Sequence, residues 1–230
     1  LRARVYRVSS GSNRRERTCD PERVRAHVSS LPRSVQRLAL TVMTVATRLG
    51  LSRRRTPLPP LGEQAHLTAV LRLGDAFVPE ITTVTAHYVY PPESVHITVT
   101  NLDDSTVDLA GAVERLAALQ LPAPTFTIGN LGCSPDTLFL RCVHDDRFDQ
   151  LRLAVEQSFD LHPSRSPVSW LFRRLSFANV VRFDGPGEWQ QIRASNAEAH
   201  CQTLEIVRTD RYLSSQGTTV IKEIPLKNTG

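Results

Sequence analysis

The sequence predicts an α+β domain in which a mainly antiparallel sheet packs against helices on the outside. Three observations lead to this prediction. The chain has 230 residues, 40% hydrophobic and 22% charged, which is enough to bury one sizeable core. Strand patterns arrive partly as hairpins with single helices between them, which favours α+β over a doubly wound parallel sheet. A proline-rich stretch near residue 60 separates this pattern from a basic N-terminal segment.

The N-terminal quarter differs from the rest in charge, so we predict a basic extension at residues 1–61 and a domain at residues 62–230. Residues 1–60 hold 14 arginines against three acidic residues, a net charge of +11, whereas the remaining 14 basic and 20 acidic residues make 61–230 about −6. One interpretation of the arm is a salt-sensitive contact with an anionic partner. A solvated arginine-rich tail and sequence translated upstream of the true start are the alternatives.

Within the extension, residues 32–49 predict an amphipathic helix. Apolar residues recur there at helical spacing: Val35, Leu38, Ala39, Val42, Ala46 and Leu49. We expect this apolar side to dock on the following domain, with attachment to a membrane surface as the alternative. The prolines at 57, 59 and 60 then predict a stiff linker.

After the linker the chain alternates short strands with single helices. Strands are predicted at 67–73, 95–100, 126–128, 137–142, 177–183, 204–207 and 218–224, with β-branched material at 81–90 and a loop at 129–135. Ser105, followed three residues later by Asp108, predicts the start of one helix, which ends before Pro122. A second helix is indicated by the spacing of Phe148, Leu151, Ala154, Val155 and Phe159.

The strand at 95–100 carries the strongest chemical signal. Strict alternation turns Val95, Ile97 and Val99 to the core and places His96, Thr98 and Thr100 together on the other face. An imidazole can give or take a proton near neutral pH, and a hydroxyl two residues away can donate to a phosphoryl oxygen. On its own this short pattern also fits an amphipathic strand that turns its polar side chains to water.

The wider context resembles the 2H phosphoesterase superfamily, which includes bacterial 2′-5′ RNA ligase and cyclic phosphodiesterase-like proteins. The segment PPESVHITVTNL resembles that family's first signature, and the tail LEIVRTDRYLSSQGTTVIKEIPL is similar to its final hairpin. The resemblance covers residues 66–226 and implies a two-lobed fold with two H-x-T/S motifs facing each other across a cleft. In that family the histidines act as acid and base and the hydroxyls hold the phosphate.

Only the first motif is intact in this chain. The resemblance assigns catalytic roles to His96 and Thr98, and phosphate binding to Thr98. The second motif falls at LSFANVVRF, where Phe177 stands in place of the histidine and Asn179 in place of the hydroxyl residue. Phe177 cannot move a proton, whereas Asn179 can donate a hydrogen bond to a phosphoryl oxygen. Arg182 is in the opposite strand phase and need not face the cleft.

Four further features of the sequence bear on the fold and the site. The resemblance implies a full helix between Leu73 and Val95, where this chain has a short segment with β-branched residues at 81–85, so the first lobe is expected to be trimmed or rearranged. His144, His162 and His200 are candidates for the missing proton carrier, although each is interpreted as a surface or packing histidine. The grouping of His144, Asp145 and Asp146 lacks a further ligand at suitable spacing, so no metal is expected. The four widely spaced cysteines predict reduced thiols: Cys19, Cys133, Cys142 and Cys201.

Three functions are compatible with these residues: an enzyme, a binding protein and a structural protein. The first is a metal-independent phosphodiesterase or RNA ligase-type enzyme acting on cyclic or 2′-5′ phosphodiesters, slowed by the loss of the second histidine. The second is an inactive derivative that binds RNA or a nucleotide, with Phe177 stacking on a base. A structural role for the helix and the basic arm is the third. We expect a monomer in the cytoplasm that needs no cofactor and has no membrane span.

Overall fold

The structure, a computed structural model, describes residues 31–49, 60–63, 66–74, 86–162, 174–183 and 197–228. Its helices are α1 (Arg33–Arg48), α2 (Leu109–Ala118) and α3 (Asp146–Ser158). Its strands are β1 (His66–Arg72), β2 (Ala86–Val89), β3 (His96–Asn101), β4 (Thr125–Ser134), β5 (Thr137–His144), β6 (Ser176–Phe183), β7 (Ala197–His200), β8 (Thr203–Thr209) and β9 (Thr219–Pro225). A single 3₁₀ turn, Pro92–Ser94, leads into β3.

The described strands join into one sheet of nine strands in the order β7-β4-β5-β6-β3-β1-β8-β9, with β2 paired to β6. Every pairing between these strands is antiparallel. One half of the sheet ends at β6 and the other begins at β3, and the two halves meet where Ile97 pairs with Ala178. The predicted α+β class is therefore confirmed, with the two lobes continuous through their central strands.

The main core lies between one face of this sheet and the helices α2 and α3. Ile97, Leu140 and Ala178 extend from the central strands into it, and Leu116 and Phe148 extend from the two helices. Each of these side chains is at most 1% exposed. Since burial of apolar area is the dominant favourable term in folding, this cluster supplies most of the free energy that stabilises the sheet and its two helices.

Helix α1 packs on the opposite face of the sheet, over β4 and β5, and it uses a different side from the one predicted. The buried positions are Gln36, Leu40 and Thr44, which recur every four residues. Leu40 packs with Phe139 and Leu175 in a second, small cluster. The helix itself is confirmed, but the prediction that its apolar stripe docks on the domain is wrong.

Gln36 and Thr44 are buried because the sheet offers them backbone partners. The amide N–H of His144 donates to Gln36 Oε1 at 3.1 Å, and Gln36 Nε2 donates back to the carbonyl of His144 at 3.4 Å. The N–H of Cys133 donates to Thr44 Oγ1 at 3.4 Å. Buried polar groups are tolerated when they are hydrogen-bonded, so these contacts determine which side of α1 faces the sheet.

Two local predictions are also corrected. The loop expected at 129–135 is strand, because β4 continues to Ser134 with an irregularity in its pairing between Ile128 and Leu131. Gly132 is required there, since a Cβ would lie 2.5 Å from the ring of Phe139. The second correction concerns α2, which is capped by Asp108, whose carboxylate accepts from Gly111 N at 2.8 Å, and not by Ser105.

Of the remaining predictions, some concern residues that the structure describes and others concern residues outside the described ranges. Cys133, Cys142 and Cys201 are buried free thiols. Cys19, the arm at 1–30, the linker prolines 57 and 59, and residues 81–85 lie outside the described residues. Among the helices that the structure describes, none is long and apolar enough to cross a membrane.

Candidate functional site

His96 is fixed by the turn that precedes its strand. Pro91 and Pro92 set up the 3₁₀ turn, and this turn ends at Ser94, whose carbonyl oxygen lies 2.7 Å from His96 Nδ1. A carbonyl oxygen can only accept, so the proton of the neutral ring is on Nδ1. The lone pair therefore resides on Nε2, which is buried and has no hydrogen-bond partner among the described residues.

The environment of His96 keeps the imidazole neutral. The side chain is 1% exposed. The pKa of His96 is lowered from 6.5 to about 4: burial is the largest cause, the Ser94 carbonyl opposes it, and the positive charges of Arg72 and Arg182 add to the lowering. At neutral pH, Nε2 is thus a hydrogen-bond acceptor and a proton acceptor beside two cationic side chains.

The register between β3 and β6 brings the two predicted motifs onto one face. Ile97 is paired with Ala178 in an antiparallel ladder, so His96 lies opposite Asn179 and Thr98 lies opposite Phe177. Because Ile97 and Ala178 turn to the main core, these four side chains share the other face. Thr98 is exposed and Asn179 is half-buried, with its Oδ1 buried and unpaired among the described residues.

Phe177 belongs to an apolar contact on this face. Its ring lies 5.2 Å from that of Phe139, and it packs against the small cluster formed by Leu40, Phe139 and Leu175. Helix α1 therefore forms a wall on the side of the site where a second histidine would stand. At this position Phe177 contributes apolar packing and cannot donate or accept a proton.

Arg182 lies on the same face as His96, contrary to prediction. Leu138 pairs with Val181 and Phe139 pairs with Asn179, so β6 contains one additional residue between these pairs. Such a bulge inverts the alternation of the strand beyond it. Val180 and Val181 are both buried in the main core, and Arg182 consequently returns to the face of Asn179.

Arg72 approaches His96 from the other neighbouring strand. The two residues are directly paired between β1 and β3, so their side chains share a face. Arg72 Nε lies 2.9 Å from Glu205 Oε2, an ion pair that holds the guanidinium in place. The site thus has a neutral imidazole at its centre and an arginine on each side, each arginine paired with a carboxylate, Glu205 or Asp136. A guanidinium has five N–H donors, so each can still donate to an anion.

Two further side chains near the site were missed from the sequence. The ring of Tyr90 lies 5.9 Å from that of His96, its hydroxyl donates to the carbonyl of Tyr212, and it hydrogen-bonds with Arg182. Burial raises the pKa of Tyr90. The ring of His87 lies 5.4 Å from that of Tyr212 at an angle of 44°, and its Nε2 is buried without a partner among the described residues. No pattern in the sequence marks these residues, because their proximity depends on pairing between distant strands.

The three histidines considered as replacements lie elsewhere. His144 is buried on the core face, with Nδ1 2.8 Å from Ser176 Oγ and Nε2 3.3 Å from Asp149 Oδ2. His200 lies on the edge strand β7, 3.1 Å from Thr125 Oγ1, and His162 contacts the carbonyl of Asp160 after α3. Within the described ranges, no group of three or more His, Cys, Asp or Glu side chains could hold a metal ion.

Comparison with known proteins finds similar structures but no similar sequences. No family model matches the sequence, and no curated protein matches it significantly. Among solved structures, E. coli LigT complexed with 3′-AMP matches with a TM-score of 0.50 and 14% identity, over 72% of this chain and 100% of that chain. The crystal structure of a phosphoesterase matches with a TM-score of 0.50 and 14% identity, over 74% of this chain and 100% of that chain. At 14% identity these likenesses show a shared fold, which this chain has in common with LigT and with that phosphoesterase.

Proposed function

We propose that this chain performs metal-independent phosphodiesterase or RNA ligase-type chemistry on cyclic or 2′-5′ phosphodiesters of RNA or nucleotides, at a reduced rate. The observation that carries the proposal is the pairing of Ile97 with Ala178, since it brings His96, Thr98 and Asn179 to one face. The likeness to LigT supports the same class of chemistry, and the 3′-AMP bound by that protein suggests a terminal phosphate as product or ligand.

In the proposed reaction, His96 Nε2 accepts the proton of a water that attacks the phosphorus of a 2′,3′-cyclic phosphate. The bond to one ribose oxygen breaks, and that oxygen takes up a proton. Thr98 and the amide of Asn179 donate hydrogen bonds to the phosphoryl oxygens, while Arg72 and Arg182 stabilise their negative charge. The anion also favours the protonated imidazole, which raises its pKa in the complex and improves His96 as a base.

The weak point of this mechanism is protonation of the departing oxygen. Phe177 occupies the position from which a second imidazole would supply that proton, so solvent must supply it. Positioned general acid catalysis is typically worth about 10²- to 10⁴-fold in rate, and a one-histidine site is expected to lack that factor.

The alternative function is a receptor that binds RNA or a nucleotide without turnover. Two observations favour it: His96 is only 1% exposed, and Phe177 is packed against Phe139. The cationic pair of Arg72 and Arg182 would serve such a receptor equally well, since arginine binds phosphate without exchanging protons.

Substitution of Phe177 distinguishes the two. We expect Phe177→His to raise hydrolysis of a 2′,3′-cyclic nucleotide by up to about 10²-fold, and His96→Ala in that background to abolish the gain. Phe177→Leu is the matched control, because it keeps an apolar side chain against Phe139 but adds no proton carrier. Turnover is measured with the cyclic nucleotide and with a short 2′-5′ linked RNA, and binding with 3′-AMP.

The results of these assays distinguish the enzyme from the receptor. Tight binding of 3′-AMP with no turnover in the parent or in Phe177→His favours the receptor. A robust parent rate that survives His96→Ala rules out the proposed role of His96 and directs attention to His87, the other described histidine near Tyr90 and Tyr212.

A further inference from the structure

Helix α1 exposes a row of large apolar side chains on the side turned away from the sheet. These residues are Val35, Leu38, Val42, Val45 and Leu49, with exposed fractions between 38% and 67%. They follow one another at alternating steps of three and four residues, so they form a single stripe along the helix. At 3.6 residues per turn, this stripe lies opposite the docking positions Gln36, Leu40 and Thr44.

Contiguous apolar surface of this kind marks a site of interaction, whereas isolated exposed apolar residues are ordinary. Outside α1, the large apolar side chains exposed in the described residues are Val89, Val220 and Ile221, on β2 and β9. The helix cannot rotate to bury the stripe, because the hydrogen bonds of Gln36 to His144 and of Thr44 to Cys133 fix its docking side. The stripe therefore needs a partner from outside the described fold.

The charged residues of α1 lie outside the stripe, toward the docking side of the helix, and they indicate what kind of partner fits. The charged residues of α1 are Arg33, Arg37 and Arg48, with no acidic residue. Arg141 of β5 adds to them: it donates to Thr41 Oγ1 at 3.1 Å, and burial together with the nearby charge of Arg48 lowers its pKa. The arm that precedes the helix makes residues 1–60 +11 in net charge.

The apolar stripe and the positive charge together argue against a second copy of the chain and against RNA as the partner. A second copy would cover the stripe but would bring a second +11 segment against the first. RNA would neutralise the arginines but would leave the five apolar side chains in water. An anionic lipid surface satisfies both, because it offers negative headgroups to the arginines and an apolar boundary beneath them to the stripe.

We propose that α1 attaches the protein to the surface of an anionic lipid bilayer, with the stripe in the boundary between headgroups and acyl chains. The docking contacts of Gln36, Leu40 and Thr44 then carry the domain on the membrane-distal side of the helix. This attachment goes beyond the phosphodiester chemistry and does not depend on it.

The test is co-flotation of the full chain with phosphatidylcholine vesicles that contain or lack phosphatidylserine. We expect binding to the anionic vesicles only, and a loss of affinity of about tenfold or more in the variant Leu38→Gln with Val42→Gln. Glutamine is a good helix former, and both positions are exposed, so the fold is retained. The matched control is Val220→Gln with Ile221→Gln, which removes two exposed apolar side chains from β9 and is expected to bind like the parent.

Three results would overturn the proposal. The first is the absence of binding to anionic vesicles. The second is equal binding by the stripe variant and the parent, which would reduce the attraction to the charge of the arm alone. The third is a parent that dimerises in sedimentation equilibrium and a stripe variant that does not, without vesicle binding, which would assign the stripe to a second copy.

Discussion

At the scale of single residues, His96 shows how one buried group links the site to stability. Its ring has one fixed partner, the Ser94 carbonyl, and it is surrounded by Tyr90, Arg72 and Arg182. Burial and the two arginines oppose a positive charge on the imidazole, whereas in the unfolded chain the same ring is readily protonated once the pH falls below its ordinary pKa of 6.5. The fold therefore loses stability on acidification, independently of any substrate.

The sign and the window of this effect follow from the pKa of His96. The unfolded chain takes up a proton on this ring as the pH falls below 6.5, and the folded chain does so only near pH 4. The contribution is therefore complete above pH 6.5 and is lost between 6.5 and 4. We expect the free energy of unfolding to fall by about 3 kcal/mol over this window because of His96. Urea unfolding at several pH values measures it.

The control for this prediction is His96→Asn, which keeps a donor for the Ser94 carbonyl but does not titrate. The variant is expected to be less stable at pH 7 because it leaves a cavity, and to show a shallower decline towards pH 4. Identical pH profiles in the two proteins would show that the His96 ring is protonated as easily in the fold as in water.

Single residues also show what the sequence can and cannot predict about the site. His96 and Thr98 were found because alternation and a short motif are local properties. Arg182 was placed on the wrong face because the bulge beside Val180 depends on how β5 pairs with β6. Arg72 was missed because its closeness to His96 follows from the register of β1 and β3, which sequence periodicity does not specify.

At the scale of elements, local patterns predicted the type of α1 and β4 but not their extent or orientation. Gly129 and Gly132 lower the strand propensity of β4, yet the sheet requires the strand there, and Gly132 provides the room that Phe139 needs. In α1, the more hydrophobic side was expected to dock. The sheet instead binds Gln36 and Thr44 through hydrogen bonds that no hydrophobic pattern reports.

The boundary at residue 62 remains a prediction, and α1 supplies its test. The main core contains no residue of α1, so we expect a chain that begins at Gly62 to fold cooperatively. It loses the contact of Leu40 with Phe139 and Leu175, which we expect to cost roughly 2–5 kcal/mol by analogy with a buried Leu→Ala change. Chemical denaturation of this chain, beside Leu40→Ala in the full chain, measures both terms. Failure of the shortened chain to unfold cooperatively would make α1 part of the domain.

At the scale of the whole molecule, the charge is divided between two parts with different tasks. The arm and α1 carry the excess of arginine, whereas residues 61–230 are negative overall and concentrate positive charge at the site through Arg72 and Arg182. The composition of the sequence already revealed the first part. The second required the fold, since these two arginines are more than a hundred positions apart and both lie near His96 only because β1 and β6 flank β3.

This division predicts that binding of single-stranded RNA separates into two terms, a salt-sensitive one from the arm and a less salt-sensitive one from the site. A chain that begins at Leu31 lacks the arm but keeps α1, so it tests the arm alone. Each phosphate neutralised by the arm contributes about 0.7 to the slope of log affinity against log salt concentration. We expect the shortened chain to show a clearly shallower slope for RNA, measured by fluorescence anisotropy, while its affinity for 3′-AMP is unchanged. A chain without the arm that retains the full slope would mean that the domain itself contacts the phosphates, despite its negative charge.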